Sequence, residues 1–157
     1  MHDANSRARK ALLEMNESNL ERPKVGVGLF LVRNNNEILL AKRTASHGSG
    51  QYAGVGGHLE NSESFEECIR REFLEEAGND LVFSDLRFLC ITNITKYAPK
   101  HYVDIGMTAN YVSGKAQVLE PTKIESWDWY PLDNLPSPLF GSTGLYLQAY
   151  KSGNVIF

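Results

Sequence analysis

The sequence predicts a single α+β domain, built as a sandwich of strands and helices. Several short apolar runs, each bounded by turn residues, follow one another along the chain as strands do. Two further segments, residues 65–78 and 139–150, have helical character. Strands combined with two helices are typical of an α+β or α/β sandwich. A chain of 157 residues with 42% hydrophobic composition can bury a sizeable core, and no linker rich in Pro, Gly or Ser divides it.

Residues 1–23 are polar and charged apart from a short apolar cluster at residues 11–13 and Met15. Pro23 would stop any helix in this segment. We interpret residues 1–23 as a peripheral N-terminal arm with a frayed terminus. The alternative is that the apolar cluster marks a docking helix for a second subunit. The domain itself then covers residues 24–157.

Residues 25–32 and 38–41 are apolar or glycine and flank three consecutive asparagines, so they predict a β-hairpin. Gly26 and Gly28 lie inside the first strand, where glycine is destabilising unless something needs the space. We expect a β-bulge there, with room for a ligand as the alternative. Residues 44–50 predict a flexible loop.

The remaining strands are predicted from short apolar runs after the first helix: residues 81–83, 88–91, 102–112 and 126–130. Trp127 and Trp129 alternate in the last run and share a face, which favours packing over binding of a base. Residues 131–138 predict a loop punctuated by prolines, and residues 139–150 predict the second helix.

The first helix has clear end signals. Ser64 followed three residues later by Glu67 fits a capping box, so the helix is predicted from about Phe65 until Gly78 ends it. Its helical spacing places one apolar stripe toward the core. This stripe consists of Phe65, Ile69 and Phe73, with Cys68 beside it.

Acidic residues share the apolar arc of this helix. Glu72 and Glu76 lie within it, Glu75 is near its edge, and Arg71 flanks it further round. Two carboxylates at i and i+4 repel each other, most strongly when desolvated, so a cation is expected between them. Oxygen ligands suit Mg²⁺ or Mn²⁺, which also keep waters and substrate phosphates as ligands. A solvated acidic face is the alternative, but it does not explain the tight glycine turn at residues 54–57.

Gly57, Glu63 and residues 71–78 resemble the signature of the Nudix hydrolases: a glycine, five residues, a glutamate, seven residues, then Arg-Glu-apolar-any-Glu-Glu-any-Gly. Every charged position and both glycines match. Asn79 stands where the family usually has an aliphatic residue, and Val55 where it often has proline. The resemblance covers residues 25–135. It is similar in particular to the branch that hydrolyses nucleoside triphosphates, through residues 41–43, 56–60 and 125–129.

The resemblance implies a fold and a site. The fold is an α/β/α sandwich, a mixed β-sheet between helices. The metal ligands would be the backbone carbonyl of Gly57 with the carboxylates of Glu72, Glu75 and Glu76. Arg71 would orient the carboxylates, Glu63 would support the site, and Glu75 is a candidate general base. A metal-activated water could also act without a dedicated base.

The resemblance also places Arg43 where it would contact phosphates, and a guanidinium suits that task because it donates bidentate hydrogen bonds. An ordinary surface cation is the alternative. Tyr52, Tyr102 and Phe140 are candidates for stacking on a base, with core packing as the alternative. His58 is interpreted as a structural residue.

We therefore expect a Mg²⁺-dependent enzyme, with Mn²⁺ as the alternative metal. It would hydrolyse nucleoside (deoxy)triphosphates to a nucleoside monophosphate and pyrophosphate. Hydrolysis of ADP-ribose or a nucleotide sugar would use the same acidic residues, and is the alternative within the enzyme class. A non-catalytic nucleotide-binding module is the alternative from another class.

The expected partner is a small-molecule nucleotide. A net charge of −3 argues against nonspecific nucleic-acid binding. The sequence has no apolar run long enough for a membrane and no signal peptide. Cys68 and Cys90 are expected to be buried free thiols, which favours a cytoplasmic location. The resemblance and the apolar cluster of the arm are compatible with a homodimer.

Overall fold

The computed structural model describes residues 22–157, so the predicted arm of residues 1–23 lies outside the described residues except for its last two. The strands are β1 (Lys24–Arg33), β2 (Glu37–Arg43), β3 (Tyr52–Ala53), β4 (Gly56–His58), β5 (Val82–Ile94), β6 (Tyr102–Ser113) and β7 (Ile124–Pro131). The helices are α1 (Phe65–Ala77) and α2 (Gly141–Ser152). Within this part of the chain, no helix is both long and apolar enough to cross a membrane.

The strands form one mixed sheet in the order β3-β2-β1-β6-β5, with β4 paired to β1 and β7 paired to β2. Only the pairing of β1 with β6 is parallel among these described strands. On its other edge, β1 pairs with β2 at Val32 and Arg33 and with β4 at Gly26–Gly28. The first half of β1 therefore pairs with β4 and its last residues pair with β2. The glycine-rich turn at residues 54–57 lies beside β1 as a result.

The two helices cover opposite faces of the sheet. Alternate residues of β1 point to these two faces and pack against different helices. On one side, Val27, Leu29 and Leu31 pack with Ile69 and Phe73 of α1. On the other, Phe30 and Val32 pack with Tyr146 and Ala149 of α2. This confirms the predicted sandwich with a mixed sheet between helices.

Helix α1 begins and ends where the sequence predicts. The Ser64 hydroxyl accepts from the Glu67 backbone N–H, the Glu67 carboxylate accepts from the Ser64 N–H, and Gly78 ends the helix at a φ of 87°. The predicted place of Phe65 in the core-facing stripe is wrong, since this residue is 42% exposed. It occupies the first helical position, where the chain has not yet reached the sheet.

The hairpin of β1 and β2 is confirmed, with Asn34 and Asn35 at φ values of 52° and 57° in its turn. The predicted bulge at Gly26 and Gly28 is wrong, since β1 keeps a continuous register with β6 from Lys24 to Val32. These glycines instead leave room for side chains from β6 and α2.

Two predicted strands, residues 81–83 and 88–91, are one strand, β5. The apolar pattern breaks because the pairing of β5 with β6 shifts register between Ser84 and Arg87, where Asp85 has a φ of 56°. Cys68 and Cys90 are buried free thiols, as predicted.

Ile69→Ala is expected to lower the free energy of unfolding by about 2–5 kcal/mol, because it empties a site in the core between α1 and the sheet. Leu74→Ala on the same helix is the matched control. Leu74 is 54% exposed, so its loss should change the free energy of unfolding by no more than about 0.5 kcal/mol. Urea unfolding of both variants measures the difference, and equal losses would contradict the assignment of the buried face.

Candidate active site

Arg71 is the centre of an ion-pair cluster between α1 and the loop before it. Its Nε and Nη2 atoms donate to the two Glu63 carboxylate oxygens at 2.8 and 3.0 Å. Its Nη1 atom donates to Glu72 at 2.6 Å, and Nη2 also donates to the backbone carbonyl of His58 at 3.0 Å. A guanidinium can satisfy these partners together because its donors are fixed in a planar fork. Arg71 thus holds β4, the loop and the Glu72 carboxylate in one arrangement.

Both oxygens of the Glu63 carboxylate accept hydrogen bonds from Arg71. Hydrogen bonds from Arg71, together with one from the Glu60 backbone N–H at 3.0 Å, lower the pKa of Glu63 to about 2. It therefore stays ionised at neutral pH and fixes the orientation of Arg71.

The glycine turn forms a cradle for two carboxylates of α1. The Glu72 carboxylate lies so close to Gly57 that a Cβ atom there would overlap it. One turn further along α1, the Glu76 carboxylate accepts from the Gly56 backbone N–H at 3.2 Å. Burial raises the pKa of Glu76 to about 8, and the Glu72 charge adds to the effect. Two carboxylates are thus held against the turn: Glu72 is paired with Arg71, and Glu76 accepts from the backbone of Gly56.

The chemistry of this donor set fits a hard divalent cation. Glu72, Glu76 and the Gly57 carbonyl are oxygen donors, the kind of ligand preferred by a cation that also keeps waters and substrate phosphates. Glu75 is 57% exposed and lies 3.8 Å from Arg71 Nη1. Among residues 22–157, no three acidic, thiol or imidazole side chains already converge as a closed metal cage. The arrangement is an open site, and Glu75 would have to turn toward the other carboxylates to join it.

A cavity of about 170 Å³ opens beside the turn at residues 54–57. Arg43 lies on its wall, with its guanidinium 4.7 Å from the Phe140 ring centroid, and it donates to the His47 carbonyl at 3.1 Å. Tyr97 stacks on Phe140 with ring centroids 6.0 Å apart. This wall combines a cation with aromatic faces, which suits a nucleotide.

Three residues predicted to contact substrate line this cavity: Arg43, Tyr102 and Phe140. Tyr52 does not line it, and packs edge-on against Tyr130 with ring centroids 5.7 Å apart in the core under α2. Adjacent residues of a strand point to opposite faces, and in β3 it is Ala53 that faces the cavity. Tyr52 therefore packs in the core, which was the alternative to stacking on a base.

Trp127 packs against the core, in line with its interpretation, whereas His58 both stacks on Tyr102 and lines the cavity. The Trp127 indole packs against the core under α1 and donates to the Glu76 backbone carbonyl at 3.2 Å. The His58 ring stacks on Tyr102 with ring centroids 5.8 Å apart.

Sequence reasoning missed a polar cluster on the cavity wall. The Tyr146 hydroxyl of α2 donates to the Asp104 carboxylate of β6, and Ser142 also interacts with that carboxylate. Burial raises the pKa of Asp104 above its ordinary value and raises that of Tyr146 as well. The available signal was a single aspartate within the otherwise uncharged run of residues 102–112.

Comparisons with known proteins give one family. The family model described as NUDIX domain matches residues 22–147. Among curated relatives, an NAD-capped RNA hydrolase NudC of Stutzerimonas stutzeri is 32% identical over 120 residues, which cover 76% of this chain and 41% of that protein. The NudC of Pseudomonas aeruginosa is 34% identical over 108 residues, covering 69% and 36% respectively. The chain thus spans about two fifths of the length of these relatives.

Two solved structures show the same fold. A MutT NUDIX hydrolase from Burkholderia pseudomallei superposes with a TM-score of 0.76 at 33% identity, covering 82% of this chain and 98% of that one. The NUDIX domain of Shewanella oneidensis NrtR, complexed with ADP ribose, superposes with a TM-score of 0.71 at 18% identity, covering 98% and 99%. The second likeness concerns the fold alone.

The ion pair of Glu63 predicts a pH dependence of stability. Because the folded-state pKa of about 2 lies below the ordinary value of 4.5, Glu63 stabilises the protein above pH 4.5 and loses this effect as the pH falls toward 2. Urea unfolding of the wild type and Glu63→Gln across this range measures the difference. The wild type should be more stable at neutral pH and should lose its advantage in acid. A difference that does not change with pH would contradict the assignment.

Proposed function

Since this chain belongs to the Nudix hydrolase family, we propose that it hydrolyses nucleoside triphosphates, ribo or deoxy, to a nucleoside monophosphate and pyrophosphate. The observation that supports this most is the position of the carboxylate cradle, which adjoins a cavity with aromatic faces and Arg43 on its wall. A nucleotide can place its base in such a cavity while its phosphates reach the carboxylates through a bound cation.

Mg²⁺ is the proposed cofactor, with Mn²⁺ as the alternative. The residues that would hold it are Glu72, Glu76 and Glu75 with the Gly57 carbonyl. When bound, the metal supplies polarisation of phosphoryl oxygens and a lower pKa for the attacking water.

The remaining residues have positioning and proton-transfer roles. Arg71 keeps the Glu72 carboxylate against the glycine turn, and Glu63 keeps Arg71 in place. Glu75 is exposed next to this cluster, so it can accept a proton from water as a general base. Arg43 uses Nε and Nη2 for the His47 carbonyl, which leaves Nη1 to donate to a phosphate.

A second candidate is hydrolysis of a pyrophosphate that joins a nucleotide to another group, as in ADP-ribose, a nucleotide sugar or NAD. The NudC relatives favour it, because they are named as hydrolases of NAD-capped RNA. The MutT NUDIX hydrolase, matched over nearly its whole length, is named without a substrate, so the main proposal rests on the site itself. A non-catalytic nucleotide-binding role is disfavoured because all four acidic residues of the signature are present.

The cellular location and the oligomeric state of the enzyme are also proposals. Two buried free thiols support a cytoplasmic location. A homodimer, with residues 1–23 as a peripheral arm, is supported by the family and by the apolar cluster of the arm. Light scattering that gives a monomer mass at all concentrations would reject the dimer.

A mass-resolved substrate panel tests the main proposal. It contains nucleoside triphosphates, ADP-ribose, nucleotide sugars, NAD and NAD-capped RNA, each with and without Mg²⁺. A triphosphate should give its monophosphate and pyrophosphate only when metal is present. Dominant turnover of NAD, capped RNA or ADP-ribose would replace the main proposal with the second candidate. Turnover of none would favour the binding role.

Glu76→Gln is expected to lower metal-dependent kcat/KM by about 100-fold or more, since even loss of a residue that only supports a ligand costs about 10- to 100-fold. The matched control is Glu66→Gln on the same helix, where the side chain is 58% exposed and pairs with Arg70. Its kcat/KM should stay close to that of the wild type. Thermal unfolding checks that both variants are folded, and unchanged turnover by a folded Glu76→Gln would refute the ligand assignment.

A further inference from the structure

We propose that Asp104 selects nucleotides whose base carries an exocyclic amino group, by accepting a hydrogen bond from that group inside the cavity. The proposal rests on the function proposed above, because it names the base of the same nucleotide substrate.

The cavity has the size and lining for a base. Its volume is about 170 Å³, and an apolar cavity of about 150 Å³ is enough to hold benzene. Tyr97, Tyr102 and Phe140 line it with aromatic rings against which a planar base can pack. Among the described residues that line it, Asp104 is the only carboxylate. The cavity therefore offers one anionic hydrogen-bond acceptor to whatever ring it holds.

Asp104 is held in place by an arrangement that spans two strands. Asp104 lies opposite Gly26 in the parallel pairing of β6 with β1, and its Oδ1 atom occupies the space that a Cβ of residue 26 would fill. Tyr146 donates to the other oxygen, Oδ2. The Tyr146 ring in turn lies against Gly28 and Gly106, which are also register partners, and a Cβ at Gly28 would lie 2.6 Å from its hydroxyl.

Three glycines in two paired strands weaken both strands, because glycine loses more conformational freedom on folding than other residues. Here they share one function, since each makes room for the Asp104 and Tyr146 pair. The pair is therefore a built feature of the cavity wall rather than a polar side chain left inside by chance. It also replaces the predicted bulge as the reason for Gly26 and Gly28.

The pair retains capacity for a ligand. A carboxylate has about four lone-pair positions, and Tyr146 and Ser142 use only part of them. An exocyclic amino group of adenine, cytosine or guanine can donate to the remaining positions. A carbonyl oxygen at the same place, as in uracil or hypoxanthine, would face the carboxylate and leave two acceptors without a donor.

The charges of the cavity also orient the nucleotide. A carboxylate repels phosphates, whereas the guanidinium of Arg43 attracts them. The base therefore lies toward Asp104 and the phosphates lie toward Arg43 and the carboxylate cradle. This orientation makes the amino group, rather than the leaving pyrophosphate, the part of the substrate that Asp104 senses.

Matched nucleotide pairs test the proposal: GTP with ITP, ATP with ITP, and CTP with UTP. The two members of each pair have the same ring system. ITP has a hydrogen where GTP has its 2-amino group, whereas ITP and UTP have a carbonyl where ATP and CTP have an amino group. For the ring system that the enzyme accepts, kcat/KM should favour the amino member by about 10- to 100-fold, the cost of leaving a buried acceptor unpaired. Equal kcat/KM in every pair, or a preference for the member that lacks the amino group, would overturn the proposal.

Asp104→Asn identifies the residue responsible. The asparagine keeps the shape, but its amide can donate as well as accept, so the preference should fall at least about tenfold. In the ATP/ITP and CTP/UTP pairs, turnover of the carbonyl-bearing member should also rise. Equal losses for both members with an unchanged ratio would mean that Asp104 only stabilises the fold, which would overturn the proposal. The wild-type comparison does not depend on the variant being folded.

Binding of the monophosphates separates this proposal from the proposed function. Calorimetric titration of the wild type with GMP and IMP, AMP and IMP, and CMP and UMP needs no turnover. If no triphosphate is hydrolysed but an amino-bearing monophosphate binds about tenfold or more tightly than its partner, the triphosphate function fails and the role of Asp104 stands. Equal binding in every pair overturns the role of Asp104, whatever the enzyme hydrolyses.

Discussion

The geometry of the site depends on the ion pairs of Arg71. This one side chain joins Glu63 in the loop, Glu72 in α1 and the His58 carbonyl in β4, with every donor distance between 2.6 and 3.0 Å. Without it, the carboxylates of Glu63 and Glu72 would repel each other, and β4 would lose a direct bond to the helix. Since β4 also pairs with the central strand β1, the site is connected through Arg71 to the core of the sheet.

The second constraint is the absence of a Cβ atom at particular glycines, which lets side chains approach the backbone on both faces of the sheet. On the α1 side, Gly57 lets the Glu72 carboxylate reach the backbone. On the α2 side, Gly26 and Gly28 let Asp104 and Tyr146 lie along the cavity wall. The same physical device, a missing Cβ, thus shapes the place proposed for the cation and the place proposed for the base. Arg43 lies on the wall of the same cavity.

The sequence predicted the features that depend on local chemistry. The capping box at Ser64, the stop at Gly78 and the asparagine turn all use residues close in sequence, and all are confirmed. It failed where partners are distant along the chain: the Asp104 and Tyr146 pair joins residues 42 positions apart, and the space beside Gly26 is explained only by its partner strand. Tyr52 was misplaced because its neighbour Ala53 takes the cavity face.

The central claim is that Arg71 and the glycine turn hold carboxylates ready for a divalent cation. Titration of Mn²⁺ followed by electron paramagnetic resonance tests it without any substrate, using the wild type and Gly57→Ala. The wild type should bind Mn²⁺ at a saturable site. The Gly57→Ala protein, if folded by circular dichroism, should bind about 10-fold or more weakly, because its methyl group displaces the Glu72 carboxylate. Equal binding by a folded Gly57→Ala protein, or none by the wild type, would contradict the account.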